Sequence, residues 1–338
     1  RAIKGELNAG WEAAMQTYKE SLAFDMPKLA TRASSGNALK IMTESLSDMI
    51  SGSADLEGSN KTRTPATSSE IQAGNYGGRY VNYGIREHVM AAAMNGMALH
   101  GGIIPYSGTF LVFADYCRPS IRLSALMGTR VIYVMTHDSI GVGEDGPTHQ
   151  PVEHVASLRA IPGLNVFRPA DAMETAECWE LAVQRADGPS LIALTRQGVP
   201  AVRDDADRNQ SARGGYVLSA GEGSDHIVLM ATGSEVHLAM EAQKTLLADG
   251  ISARVVSVPC MELFLEQGPK YVRSVLGKDL PKIAIEAGIR QSWDGLIGLE
   301  GGFIGMDSFG ASGPGAQLFE HFGITPEAIV AKAKEMLA

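Results

Sequence analysis

Four ionisable side chains, His137, Asp145, His149 and His154, fall within 18 residues. Imidazole gives and takes protons near neutral pH, and a carboxylate beside it accepts hydrogen bonds from hydroxyls or from the ring. Asp145 and His149 lie in "GEDGPTHQ", residues 143 to 150, where two glycines and a proline exclude a helix or central strand and leave a loop of fixed shape. His137 ends "RVIYVMTH", an apolar run that reads as a buried strand. A strand-end histidine followed by a rigid loop carrying an acid and a second histidine suits polar contacts with a substrate. Metal binding is the rival chemistry. No H-x3-H or HExxH spacing occurs and the cysteines lie elsewhere, so none of these residues is assigned to a metal.

Other charged and aromatic residues join them as candidates. Glu87 sits in "NYGIREH" at a strand-to-helix join, where an acid also suits the helix dipole. Asp55 follows "DMISGSA". Arg196 ends the apolar run "SLIALT", and a guanidinium buried there would need an acid or a bound anion. Arg32 in "ATRASSGN", ahead of a helix, and Ser59 in "LEGSN" are further anion contacts. Phe110, Phe113 and Tyr116 run i, i+3, i+6, a spacing that by itself describes core more often than a ring-stacking surface. "ATGSEV", residues 231 to 236, lies where a phosphate loop would, but it lacks G-x-G-x-x-G and GxxxxGK[ST] and is read as structural.

These residues need a scaffold, and the pattern is α/β: two consecutive open-sheet domains, the first with a mostly parallel sheet covered by helices on both faces. Residues 1–30 are a helical lead-in with Trp11, Met15, Tyr18 and Leu22 on one stripe. Residues 31–200 alternate helix and strand. Residues 201–213, "AVRDDADRNQSAR", are polar and read as a linker, and a second strand–helix series fills 214–338. In parallel sheets ligands gather beyond the carboxyl ends of the strands, where Asp55, Tyr83 to Glu87, His137 and Arg196 fall.

Composition sets the outer bounds. A length of 338 residues suits about two domains, and 45% apolar with 20% charged residues is ordinary for a globular chain. A net charge of -9 argues against nucleic acid as a partner, and no apolar run is long enough to span a membrane. Cys117, Cys178 and Cys260 are scattered without a CxxC, which fits a reduced, cytoplasmic compartment.

Taken in order, "GSADLEGSN", "YVNYGIREH", "PYSGTFLVFADYCR", "THDSIGVGEDGPTHQPVEH", "LTRQ" and "ATGSEV" resemble transketolase. The resemblance runs from about residue 30 to the end and covers the family's pyrimidine-binding and C-terminal domains. It does not include the N-terminal domain, whose Gly-Asp-Gly motif and later Asn hold the cofactor's diphosphate and a Mg2+ or Ca2+ ion; no "GDG" occurs in these 338 residues. With Arg1 in first place, the expectation is a proteolysed chain or one half of a split enzyme. The resemblance implies thiamine diphosphate as cofactor, sugar phosphates as substrates and a homodimer. Glu87 is similar to the acid that shares a proton with N1′ of the aminopyrimidine. Phe110, Phe113 and Tyr116 are similar to the wall for that ring, and Asp55 to an acid near the thiazolium. His137 and His149 are similar to the groups on the ketose hydroxyls and carbonyl, and Asp145 to the acceptor for the hydroxyl next to the reacting carbonyl. Arg32, Ser59 and Arg196 are similar to a clamp on the terminal phosphate. The reading is two-carbon ketol transfer. Its rivals are a synthase of 1-deoxyxylulose 5-phosphate and a non-catalytic binding module of the same fold.

Overall fold

The computed structural model describes residues 1–338. A short ribbon pairs β1 (Leu29–Ala30) antiparallel with β8 (Gly198–Val199). Between them run β2 (Met49–Ser53), β3 (Tyr80–Asn82), β4 (Ile104–Phe110), β5 (Ile132–Thr136), β6 (Asn165–Phe167) and β7 (Ser190–Leu194). These six form one sheet in the order β3-β2-β4-β5-β7-β6, with every pair parallel. β5 and β7 are buried at every residue, as a parallel sheet covered on both faces requires. Strand alternation divides the covering. Ile132 and Val134 face a core with Trp11, Met42 and Trp179, from α1 (Trp11–Asp25), α2 (Thr31–Ser45) and α7 (Ala172–Gln184). Tyr133 and Met135 face a core with Met90, Met94 and Ile121, from α4 (Glu87–His100) and α5 (Ala114–Leu126). Two short helices, α3 (Glu57–Asn60) and α6 (His154–Arg159), lie between these elements.

The second sheet holds β9 (Tyr216–Ser219), β10 (Ile227–Ala231), β11 (Ala253–Ser257), β12 (Lys282–Ile285) and β13 (Gly302–Ile304), in the order β13-β12-β10-β11-β9. β9 alone is antiparallel to its neighbour. α8 (Val236–Ala248) and the closing helix Pro326–Leu337 cover one face, while Phe264, Leu276 and Trp293 fill the other. No helix is long and apolar enough to cross a membrane.

Two segments are held in ways their composition does not announce. Helix α1 buries Trp11, Met15 and Leu22 in the first core, and Lys19 on the same face pairs with Glu180 at 2.9 Å. The stretch 201–213 is no free linker. Glu177, fully buried on α7, ion-pairs with Arg203 and accepts the Gln210 and Ser211 N–H groups at 3.1 and 3.0 Å. A polar segment is thus fixed by a buried acid that needs donors.

Candidate active site

The carboxyl ends of the parallel strands bring the candidate residues to one edge of the sheet. Asp55 follows β2, Tyr83 to Glu87 follow β3, Phe110 ends β4, His137 follows β5 and Arg196 follows β7. Asp55, with a left-handed φ of 61°, lines a cavity of about 200 Å³ with Tyr80, Asn82 and Gly84, so it shares a lip with the segment that leads to Glu87.

Aromatic and imidazole rings form one continuous surface. The His137 ring stacks on Phe110 at 3.7 Å between centroids, and Phe110 stacks on Phe113 at 5.6 Å. His149 stands edge-on to Phe113 at 5.6 Å, and Tyr116 follows Phe113 at 5.9 Å. Phe113 closes a 3-10 turn ahead of α5 rather than lying in the helix. Exposure climbs along the series, from 8% at Phe110 to 65% at Tyr116, so the stripe is a ledge and not core. Its outer rings offer open apolar faces on which a planar ligand can stack.

Glu87 begins α4 and is only 7% exposed, yet its carboxyl makes no hydrogen bond or ion pair within the chain. The residue is mostly covered, but its carboxyl oxygens are not sealed off and stand open to a donor from outside. It lies against the ledge: burial first and the Glu87 charge second push the neighbouring Cys117 thiol, on α5, up to about 12.

On the other side of His137 lies a basic cluster. Arg32, in the first turn of α2, donates to the Ser59 carbonyl at 3.1 Å and so joins α2 to α3. Burial, then the charges of Arg32, Arg196 and His149, hold the His137 pKa down to about 3. Arg196 is exposed rather than buried, so it does not need an acid or anion for burial's sake. Its charge acts on both Arg32 and His137, which makes the three one basic cluster.

The lowered pKa of His137 makes folding depend on pH. The unfolded chain takes a proton on this ring below about pH 6.5 while the folded chain refuses it until about pH 3. The ring is therefore neutral at pH 7, and it subtracts stability progressively as pH falls through that window. Inorganic phosphate bound between Arg32 and Arg196 would cancel part of their field. We predict that phosphate raises the His137 midpoint, followed by NMR of its ring protons, and that without phosphate the ring stays neutral at pH 5. A midpoint near 6.5 without phosphate would rule the cluster out.

The loop bearing Asp145 and His149 is clamped by the second sheet's Phe309–Gly315 segment. Gln150 Nε2 donates to the carbonyls of Gly143 and Ala311 at 2.8 and 2.9 Å, and Ser312 Oγ donates to the Glu144 carbonyl at 2.6 Å. Gly143 and Gly146 have φ of 87° and 79°, which other residues rarely adopt. Asp145 is exposed and has no partner within the chain. His154 does not join His137 and His149. It opens α6, with Nε2 at 3.3 Å from Asp115 and Nδ1 at 3.7 Å from Glu153.

Residue 138 holds the strand end. Asp138 is 2% exposed and pairs with fully buried Arg168 at 2.9 Å, and Arg168 also pairs with Glu235, in the turn between β10 and α8. The "ATGSEV" motif therefore supplies a charge and a carbonyl to Arg168, with Gly233 leaving room for the guanidinium. Glu286 completes the cluster by pairing with Arg159 at 2.9 Å. His137 itself has a left-handed φ of 62°, strained for a non-glycine residue, and the anchored Asp138 beside it keeps that turn in place.

The order of these elements matches known families. Residues 27–201 match the transketolase pyrimidine-binding domain, and residues 214–325 match the transketolase-like C-terminal domain. The chain belongs to the transketolase family. It is 56% identical over 325 residues to the transketolase of Cereibacter sphaeroides, covering 96% of this chain and 49% of that one. The transketolase structure from Leishmania mexicana superposes with a TM-score of 0.90 at 40% identity, covering 99% of this chain and 48% of that one. A split-gene transketolase described as an inactive β4 tetramer superposes with a TM-score of 0.73 at 28% identity, covering 92% of this chain and 99% of that one. The chain spans about half the length of the curated relatives it matches.

In this transketolase-family chain, the sequence pattern did not single out Gln150, Asp138 or Arg168. Asp138 carried a signal. An acid set two residues past a buried strand needs a cation if the fold covers it, but the sequence does not say which one. Gln150 carried none, because its role depends on which carbonyls the fold brings to it.

Proposed function

We propose that residues 1–338 provide the pyrimidine-binding and C-terminal part of a cytoplasmic, homodimeric enzyme. It transfers a two-carbon ketol unit from a ketose phosphate to an aldose phosphate. The observation that carries this reading is Glu87, an accessible carboxyl without a partner on a mostly covered residue near an open aromatic ledge, which suits a planar base bearing a protonatable nitrogen. Thiamine diphosphate, when bound, supplies the carbanion chemistry. Glu87 would hold a proton against the ring nitrogen while Phe110, Phe113 and Tyr116 support the ring, with Asp55 on the adjoining lip. His137 and His149 would orient the ketose hydroxyls and carbonyl, and His149 would move a proton at the reacting oxygen. Asp145 would accept from the hydroxyl next to that carbonyl. Arg32, Ser59 and Arg196 would hold the terminal phosphate.

The diphosphate and its Mg2+ or Ca2+ ion belong, on this reading, to an N-terminal transketolase domain in the same or a separate polypeptide. A second reading, a binding module without catalysis, is favoured by the similarity to a protein described as an inactive β4 tetramer. Calorimetry and a ketol-transfer assay separate the two. The 338-residue chain alone should bind thiamine diphosphate with magnesium weakly and show no transfer. With a transketolase N-terminal domain supplied, both binding and transfer should appear. Micromolar binding with transfer by the chain alone would show that the diphosphate site lies within these residues.

A further inference from the structure

The His154 side chain, on α6, is 7% exposed, yet neither of its ring nitrogens has a hydrogen-bond partner. Nearly all buried polar groups are paired, so this ring lacks a partner on both sides. A carboxylate stands at each nitrogen: Asp115 at 3.3 Å from Nε2, and Glu153 at 3.7 Å from Nδ1. Two ligands on one ion, each about 2.1 Å from it, stand roughly 3.0–3.4 Å apart at octahedral to tetrahedral angles. The spacing of Nε2 and Asp115 falls in that range without making a hydrogen bond. One ring nitrogen and one oxygen from each acid all lie within 4.8 Å of one another. The Asp115 and Glu153 side chains are 62% and 48% exposed, so an ion has a way in and Glu153 has freedom to close the remaining gap.

The two helices hold these groups together. Asp115 and Arg118 share a face of α5, and His154 and Ser157 share a face of α6, by the same i, i+3 spacing. Arg118 donates to the Ser157 carbonyl at 2.9 Å and so ties the two faces to each other.

We propose that Asp115, Glu153 and His154 form a cation site for a divalent transition metal such as zinc, with water completing the shell. One imidazole nitrogen and two carboxylates suit such an ion, whereas magnesium prefers oxygen ligands and keeps its water. The site is separate from the ion assigned above to an N-terminal domain, and it does not rest on the ketol-transfer reading. A bound ion would staple α5, which carries Tyr116, to α6, which follows the His149 loop.

The test is titration calorimetry of the 338-residue chain with zinc chloride. A site of micromolar affinity should appear, and magnesium chloride should not fill it. Asp115→Asn and His154→Gln should each weaken zinc binding by more than about tenfold, since even outer-shell partners of a bound metal are worth roughly that much. Asp115 is exposed, so its variant keeps the test open if His154→Gln fails to fold. His149→Ala should bind zinc as the wild type does, and NMR of 15N-labelled histidine should show the His154 ring shifting with zinc. No binding at millimolar zinc, unchanged affinity in Asp115→Asn, or loss of the site in His149→Ala overturns the proposal.

Discussion

Glu87→Gln should leave the fold intact and remove most ketol transfer from the assembled enzyme, by about a hundredfold to ten-thousandfold, the range expected for a positioned proton-transfer group. Gln matches Glu in size, and Glu87 makes no ion pair or hydrogen bond within the chain that the change would break. A neutral amide in a site 7% exposed is also easier to bury than a carboxylate, so thermal stability should hold or rise. What is lost is the capacity to share a proton with a ring nitrogen on the ledge. Exchange of the C2 proton of bound thiamine diphosphate reads this directly. Exchange at the wild-type rate in the variant would end the assignment of Glu87.

Asp145→Ala should lower kcat/KM about tenfold to a hundredfold for aldose acceptors bearing a 2-hydroxyl, and much less for 2-deoxy acceptors. A hydrogen bond to a charged group is worth roughly 1.5–3 kcal/mol, and that sets the scale. The carboxylate is exposed and without a partner in the chain, so its removal should not disturb the loop. The loop is instead held by Gln150 and Ser312. Discrimination between the two acceptors is the quantity to measure, because a site built for a hydroxyl loses selectivity when its acceptor goes. Equal losses on both acceptors would mean that Asp145 acts through the shape of the loop.

The strands and the edge they share were legible because apolar runs such as "VIYVMT" and "SLIALT" end in polar residues, and a parallel sheet sends those ends one way. Spacing was a poorer guide to Phe110, Phe113 and Tyr116. The i, i+3, i+6 rhythm belongs to a helix, whereas these residues occupy a strand end, a 3-10 turn and the start of α5. Arg196 shows a second limit. An apolar strand fixes the burial of its own residues and says nothing of the residue two positions beyond its end. The polar run 201–213 shows a third: composition predicts low apolar burial, but a buried Glu177 holds the segment through Arg203 and the N–H groups of Gln210 and Ser211. The partners of Asp138 were hidden for a related reason. They come from residues 30 and 97 positions along the chain, Arg168 directly and Glu235 through it.

That buried cluster also constrains how this chain can vary. Asp138, Arg159 and Arg168 come from the first sheet's half of the chain, and Glu235 and Glu286 from the second. Removing one partner from such a set costs about 3–5 kcal/mol, comparable to the whole stability of a small domain. A drift at any one position is therefore exposed to selection unless its partner changes with it. Recombination that joins the first half of one relative to the second half of another succeeds only where both lineages kept the same charges at this seam. The two halves are bound to each other at this seam even though each has its own sheet and its own core.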